Sequence, residues 1–388
     1  MAEKSKPREG NLSRTIAEYV LNPPALGGET KDRAKKALVD TVSANLAGTT
    51  CEVFPVFKAY LAEAGAGDRV ILGSSIRCAP EYAAMINGTM ISSLEFDDVL
   101  SLMPGHPSAA VMAVLCADES ALRATGKEVL DAYAIGIQAG ARVAQACTMD
   151  HYFRGFHGTG TMTMFSAIAA LCRINKFSLE QIQRALGIAA SFAAGVQGNF
   201  GTMTKPLHSG WAARNAYEAV RLAKAGLTSS EYVFEVEGGF FDCYGSENSS
   251  VKHVEDILAA PWVFDEPGIT MKLFPCCYAD FRGMDGLMKL RDRMGVTPSD
   301  VEKVVCYVPP GSLTPLPFPR PTTPFESLFS LPYALAVTLL DGFPGLESFT
   351  QQRVDASDVA EMLDRIEVTE NEICVEKYRK RPGNAVLN

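Results

Sequence analysis

Metal-binding spacings are missing from this sequence. Five histidines are spread over 388 residues, the ten cysteines include no CxxC pair, and no HExxH occurs, so the motifs that would announce a zinc or other transition-metal site are absent. Activity, if any, is expected to survive chelation. The cysteine pattern also gives no redox dithiol: Cys116, Cys147, Cys172 and Cys306 fall in apolar runs, where a thiol serves as a small hydrophobe. Positive charge is in short supply. A formal net charge of −9 argues against non-specific nucleic-acid binding but leaves room for an anionic ligand held by a local field. No apolar run reaches the roughly 20 residues that span a bilayer, and MAEKSKPREGNLS is charged where a signal peptide would be apolar. A cytoplasmic, reduced protein with no membrane partner is expected. Repeats, heptads and low-complexity tracts are missing too.

Helical patterning is abundant. A length of 388 residues with 47% hydrophobic and 21% charged residues fits two globular domains. Apolar residues at helical spacing mark residues 12–21, 31–47, 55–64, 79–95, 127–146 and 211–225. In 79–95 the small residues Ala83, Ala84, Gly88 and Ser92 permit close helix approach. A short strand-like stretch interrupts at 69–72. The pattern changes near Trp262: residues 301–308 alternate as a strand, 309–324 hold seven prolines and form a loop, 325–340 and 356–363 read as helices, and 366–368 as a strand. The expected fold is mainly α, with a large all-helical domain over 1–265 and a smaller α+β domain over 266–388, shortened at its C-terminus. Residues 325–350 are candidates to pack back on the first.

Residues 155–214 form the centre of this organisation. GFHGTGTMT at 155–163 and GNFGTMTKPLHSGWAA at 198–213 each precede an apolar helical run. Between them Ser178 and Gln181 make a capping-box pair that starts the helix IQRALGIAASFAAG. His157 thus stands at one helix start, and Lys205 and His208, three apart, at the other; in a helix that spacing shares a face. A third motif is LEFDDVLSLMPGHPSAA, where Glu95, Asp97 and Asp98 gather at the end of an apolar segment, unfavourably for the helix dipole. His106 and Pro107 then begin a new helix. Each motif also has a plain structural use: Thr and Gly cap helices, loop carboxylates are solvated, and a single histidine is more often a core residue than a catalyst.

These segments, LEFDD with GHPSAA, GFHGTGT, LEQIQRALGIAASFAAG, GTMTKPLHSGWAA, MKLFPCC and SLFSLPYALA, occur in the order found in the MmgE/PrpD family, which the chain resembles over nearly its whole length. The resemblance implies a large helical domain carrying the site, a smaller α+β lid domain, a homodimer, and dehydration, decarboxylation or epimerisation of small di- or tricarboxylates without metal or organic cofactor. Carried over by motif, Asp97 or Asp98, His106, His157, Lys205 and Lys272 fall at active-site positions. Such chemistry passes through a carbanion-like or enolate-like state and needs a base near neutral pKa and cations where charge accumulates. His157 or His106 is assigned to proton transfer, Lys205 and Lys272 to charge stabilisation and binding, and Asp97 to orienting a histidine or lysine. His208, Thr159, Asp98, Cys277 and Tyr278 join Lys272 as candidates for substrate binding.

One stretch departs from the family. Many relatives carry a histidine shortly after the position of Lys272, where this chain has Cys276, Cys277, Tyr278 and Asp280. A role for that histidine passes to Cys277, Tyr278 or Asp280, or is absent. A lyase is therefore expected first, an isomerase or epimerase by the same proton chemistry second, and a catalytically silent carboxylate-binding member third.

Overall fold

The structure is a computed structural model that describes residues 9–63, 66–254, 256, 260–372 and 374. It is mainly α, with 58% helix and 6% strand, as the periodicity predicts. The chain divides into two units, Met1–Gly198 with Pro206–Met271 and Asn199–Lys205 with Lys272–Asn388. No helix among the described residues is long and apolar enough to cross a membrane.

In the first unit the Gly126–Cys147 and Thr163–Ile174 helices pack most extensively, with Pro107–Ala117 against both and Pro80–Ser92 against Pro107–Ala117. Starts follow local chemistry. Thr125 and Glu128 form a capping box, as do Ser178 and Gln181 ahead of Leu179–Ala190, each satisfying N–H groups that have no intrahelical acceptor. The strand-like stretch becomes Arg69–Val70, antiparallel to Arg77–Cys78. The helix expected from residue 211 begins at Thr204 and runs to Ala225. Pro206 does not prevent this, because in a first turn it lacks only an N–H that would be unpaired anyway.

Small residues along Pro80–Ser92 serve the close approach that the sequence indicates. A Cβ on Gly210 would lie 2.1 Å from the Met85 carbonyl oxygen, and one on Gly88 2.9 Å from the Gly210 Cα. The backbones therefore touch directly, and Ser92 and Ser209 are drawn together with their hydroxyls 2.5 Å apart.

In the second unit, Val304–Val308 pairs in parallel with Ile366–Glu370, in the register Val304 to Ile366 through Val308 to Glu370. Their inward residues Cys306, Val308, Ile366 and Val368 pack against Leu316, Leu331 and Leu335. Residues 325–350 are placed in this unit, where Leu331–Leu340 lies against Phe281–Met294. The helix expected over 325–340 is broken into Pro324–Ser327 and Leu331–Leu340. Pro332 explains the break: its ring would clash with the carbonyl four residues back, so a new helix starts, with Ser330 accepting the Tyr333 N–H at 3.2 Å. Prolines keep 309–323 free of helix and strand.

Gly210→Ala gains about 1 kcal/mol of helix propensity but drives a methyl into a backbone carbonyl that cannot rotate away. Overpacking should dominate, with a net loss of about 1–2 kcal/mol, read as a lower urea midpoint at unchanged m-value. An unchanged or raised midpoint would contradict the contact.

Candidate active site

The first group of candidate residues is held by the turn after Pro80–Ser92 and the start of Pro107–Ala117. Glu95 has φ +50, a left-handed conformation rare for a residue with a Cβ, and with Asp97 and Asp98 it is buried. His106 occupies the N-cap position, with Pro107 opening the helix. Its ring Nδ1 lies 3.0 Å from the Asp98 carbonyl oxygen and 3.1 Å from Asp97 Oδ1. A carbonyl oxygen only accepts, so Nδ1 carries hydrogen, and Nε2 lies 3.9 Å from Glu95 Oε1. Asp97 is held in turn by Ser92, whose hydroxyl donates to Oδ2 at 2.6 Å.

Asp98 turns its carboxyl away from that ring. It accepts from the Ser108 hydroxyl and from the Ser108 N–H at 3.3 Å, and the Ser108 hydroxyl lies 2.6 Å from Tyr133 Oη. Burial pushes the Asp98 carboxyl up to about 8; the Ser108 hydroxyl opposes the rise and the charge of Asp97 adds to it.

The second group lies where 155–163 meets the Thr204–Ala225 helix. His157 is the N-cap residue of the short Gly158–Thr161 helix, with its backbone N–H donating to the Gly195 carbonyl at 3.0 Å. Its Nδ1 is 2.9 Å from His208 Nδ1, and its ring meets that of His106 edge-on, with centroids 6.1 Å apart. Thr159 joins the two helix starts, since its hydroxyl accepts the His106 backbone N–H at 3.0 Å. In the first unit the structure thus gathers Asp97, His106, Thr159, His157 and His208, with Asp98 one residue removed on Ser108.

Two residues that motif reasoning left out of the site belong to this geometry. Glu95 was visible only as one of three acidic residues, and its left-handed backbone has no local sequence signal. His151 supports the His157 turn: Nδ1 donates to the Tyr244 carbonyl at 2.7 Å, and Nε2 lies 2.6 Å from the Thr161 hydroxyl. Burial holds this imidazole down to about 4, hence neutral.

The second unit holds its own buried ionic group. Lys205, Lys272, Cys276 and Asp280 are buried, whereas Tyr278 is exposed. The Lys205 ammonium lies 5.6 Å from the centre of the Phe329 ring. Burial, then the charge of Lys272, holds Lys205 well below the usual lysine range. Burial drives Asp280 well above the carboxylate range against the pull of Lys272. Cys277, whose N–H donates to the Leu328 carbonyl at 2.8 Å, is pushed up to about 11 by burial and then by Asp280, with the lysines opposing.

Glu95, Asp97 and His106 are the one group of three or more potential metal ligands among the described residues, with donor atoms within 4.8 Å of one another. Their arrangement suits orientation of a ring better than coordination. Asp97 lies on the Nδ1 edge of His106 and Glu95 on the Nε2 edge, so the two carboxylates flank the ring from opposite sides.

The helical unit thus holds a buried set of imidazoles flanked by carboxylates, and the mixed α/β unit holds buried lysines of its own. The comparisons place the chain more closely. Residues 14–251 match the MmgE/PrpD N-terminal domain and residues 274–387 the MmgE/PrpD C-terminal domain; the chain belongs to the MmgE/PrpD family. It is similar to the cis-aconitate decarboxylase of Homo sapiens, 30% identical over 348 residues that cover 87% of this chain and 71% of that protein. The cis-aconitate decarboxylase of Mus musculus is 29% identical over 87% of this chain and 70% of its own length. The cis-aconitate decarboxylase-like protein oryM of Aspergillus oryzae is 24% identical over 92% and 79%.

The Asp98 carboxyl makes a pH prediction. Its ordinary value is 3.8 and its folded value about 8, so between these the unfolded chain has released a proton that the native state retains. Native stability from this group is full below the ordinary value and is lost progressively as pH rises toward the folded one. Asp98→Asn should flatten the fall in urea midpoint over that window relative to the parent; parallel profiles would show that Asp98 ionises freely in the fold.

Proposed function

We propose that the chain is a lyase for a small di- or tricarboxylate, acting by proton transfer beside a carboxylate without a metal or organic cofactor. The observation that carries this reading is His106, a buried imidazole oriented by donation from Nδ1 to the Asp98 carbonyl, with Asp97 Oδ1 3.1 Å from the same nitrogen, a type of group that exchanges protons near neutral pH. The names of the relatives supply the direction, since those quoted are cis-aconitate decarboxylases or like them. Removing carbon dioxide from such a substrate leaves an electron pair on carbon, which must be stabilised and then protonated; removing water begins by taking a proton next to a carboxylate. Both need a general acid or base near neutral pKa and positive charge at the developing anion.

His157 or His106 moves the proton, and Asp97 orients His106. Lys205 and Lys272 supply charge for substrate carboxylates and the developing anion. Burial disfavours the Lys205 ammonium in the unliganded protein, and a bound carboxylate provides the counter-charge that restores it. Thr159, His208, Asp98, Cys277 and Tyr278 are assigned to binding and support. A second reading is favoured by the edge-on approach of His106 and His157, 6.1 Å between centroids: two proton-transfer groups this close also suit an isomerase or epimerase that withdraws a proton with one and returns it with the other.

Cis-aconitate is the first substrate to test. His157→Gln should lower kcat by about 100-fold or more with little change in KM, because the amide keeps a hydrogen-bonding shape but does not titrate. Lys205→Met should raise KM and lower kcat together, because one ammonium serves both ground and transition states. Circular dichroism should show parent-like folding for both. A fully active His157→Gln, or inactivity that merely follows unfolding, would return these residues to a structural role.

A further inference from the structure

The contact between His157 and His208 constrains how protons can be arranged. Both rings are buried, and their Nδ1 atoms are 2.9 Å apart, a hydrogen-bond distance that accommodates one proton between two nitrogens. With both rings neutral there are two N–H hydrogens. One lies between the Nδ1 atoms, and the other sits on Nε2 of whichever ring accepts. One Nε2 is then a base and the other a donor. Adding a single proton protonates the other Nε2, and the charge can rest on either ring as the central hydrogen shifts. Adding a second would place two N–H groups face to face, which the contact resists.

We propose that His208 is the positioning residue of His157, and that the two imidazoles act as one unit sharing a single Nδ1 proton. This rests on the reading of His157 as a proton-transfer group. In the state with His157 donating, His208 holds Nε2 of His157 as the base and takes part of the positive charge when that nitrogen gains a proton. A carboxylate commonly fills this supporting place in catalytic histidines; here a second imidazole does so. Surroundings fix the pair: the Gly195 carbonyl holds the His157 backbone, and a Cβ on Gly195 would lie 3.4 Å from the His208 ring. Of ionisable groups, His106 faces His157 edge-on, with Asp97 and Glu95 behind it on its two ring edges.

The test compares His208→Asn with His208→Leu, using cis-aconitate, and reads the imidazoles of the intact protein by 15N nuclear magnetic resonance. Asparagine can still accept from the His157 Nδ1–H, and leucine cannot. His208→Leu should lose about 100-fold in kcat with KM nearly unchanged, and His208→Asn should recover at least about 10-fold of that loss. The amide is a poorer acceptor than imidazole, so the acid limb of the kcat profile should move to lower pH in His208→Asn. In the unaltered protein one ring should carry hydrogen on Nδ1 and its partner on Nε2. Two Nε2–H tautomers would overturn the inference even if the variants fail to fold, and so would a His208→Leu with parental kcat and pH profile or a change in KM alone. An inactive His157→Gln beside a parental His208→Leu removes the pairing role only. A fully active His157→Gln beside an intact shared proton removes the proton-transfer reading and with it the catalytic role of His208.

Discussion

A buried imidazole has a defined chemistry only when something decides which nitrogen carries the hydrogen, and backbone carbonyls in the helical unit make that decision for His106 and His151. His106 gives Nδ1 to the Asp98 carbonyl, His151 gives Nδ1 to the Tyr244 carbonyl, and His157 sets Nδ1 against His208. The other nitrogen meets a hydroxyl in His151, with Thr161 at 2.6 Å, and a carboxylate in His106, with Glu95 Oε1 at 3.9 Å. The backbone arrangement that sets up these contacts, including the left-handed Glu95 and the touching glycines Gly88 and Gly210, gains its meaning from them.

Burial opposes ionisation in both units. In the first it keeps a proton on Asp98, and in the second it disfavours the Lys205 ammonium and the Asp280 carboxylate. Such placements cost stability and persist where the surrounding fold over-determines them. Asp98 shows one compensation, because its carboxyl anchors Ser108 in the first turn of the helix that His106 caps, while its carbonyl fixes the His106 ring. The acidic pair thus divides its work: Asp97 meets the ring with its side chain and Asp98 with its backbone.

Much of the fold was legible because it rests on local chemistry. The Ser178 capping box, Pro107 at a helix start, the alternating strand ending at Val308 and the small-residue stripe around Gly88 each act within a few residues of their cause. Misreadings occurred where two local signals competed. The helix expected from residue 211 starts already at Thr204, with Pro206 tolerated in its first turn, and the one expected over 325–340 breaks ahead of Pro332. Motifs and family resemblance named His106, His157 and Asp97 and assigned Asp97 to orienting a histidine or lysine, but which side chains meet lay beyond sequence reasoning. His157 and His208 are 51 residues apart in sequence, and their pairing exists only once helices have packed. Nothing in the sequence set Glu95 apart from the two acidic residues beside it.

The central claim is that this protein moves a proton next to a carboxylate. Incubation in deuterium oxide with cis-aconitate, citrate and related di- and tricarboxylates, followed by proton nuclear magnetic resonance, tests it directly. The account predicts that for at least one of these compounds deuterium enters a carbon beside a carboxylate, in the product or in recovered substrate, and that folded His157→Gln protein loses the incorporation. Absence of both incorporation and substrate consumption across the panel, with the parent protein folded, would contradict it.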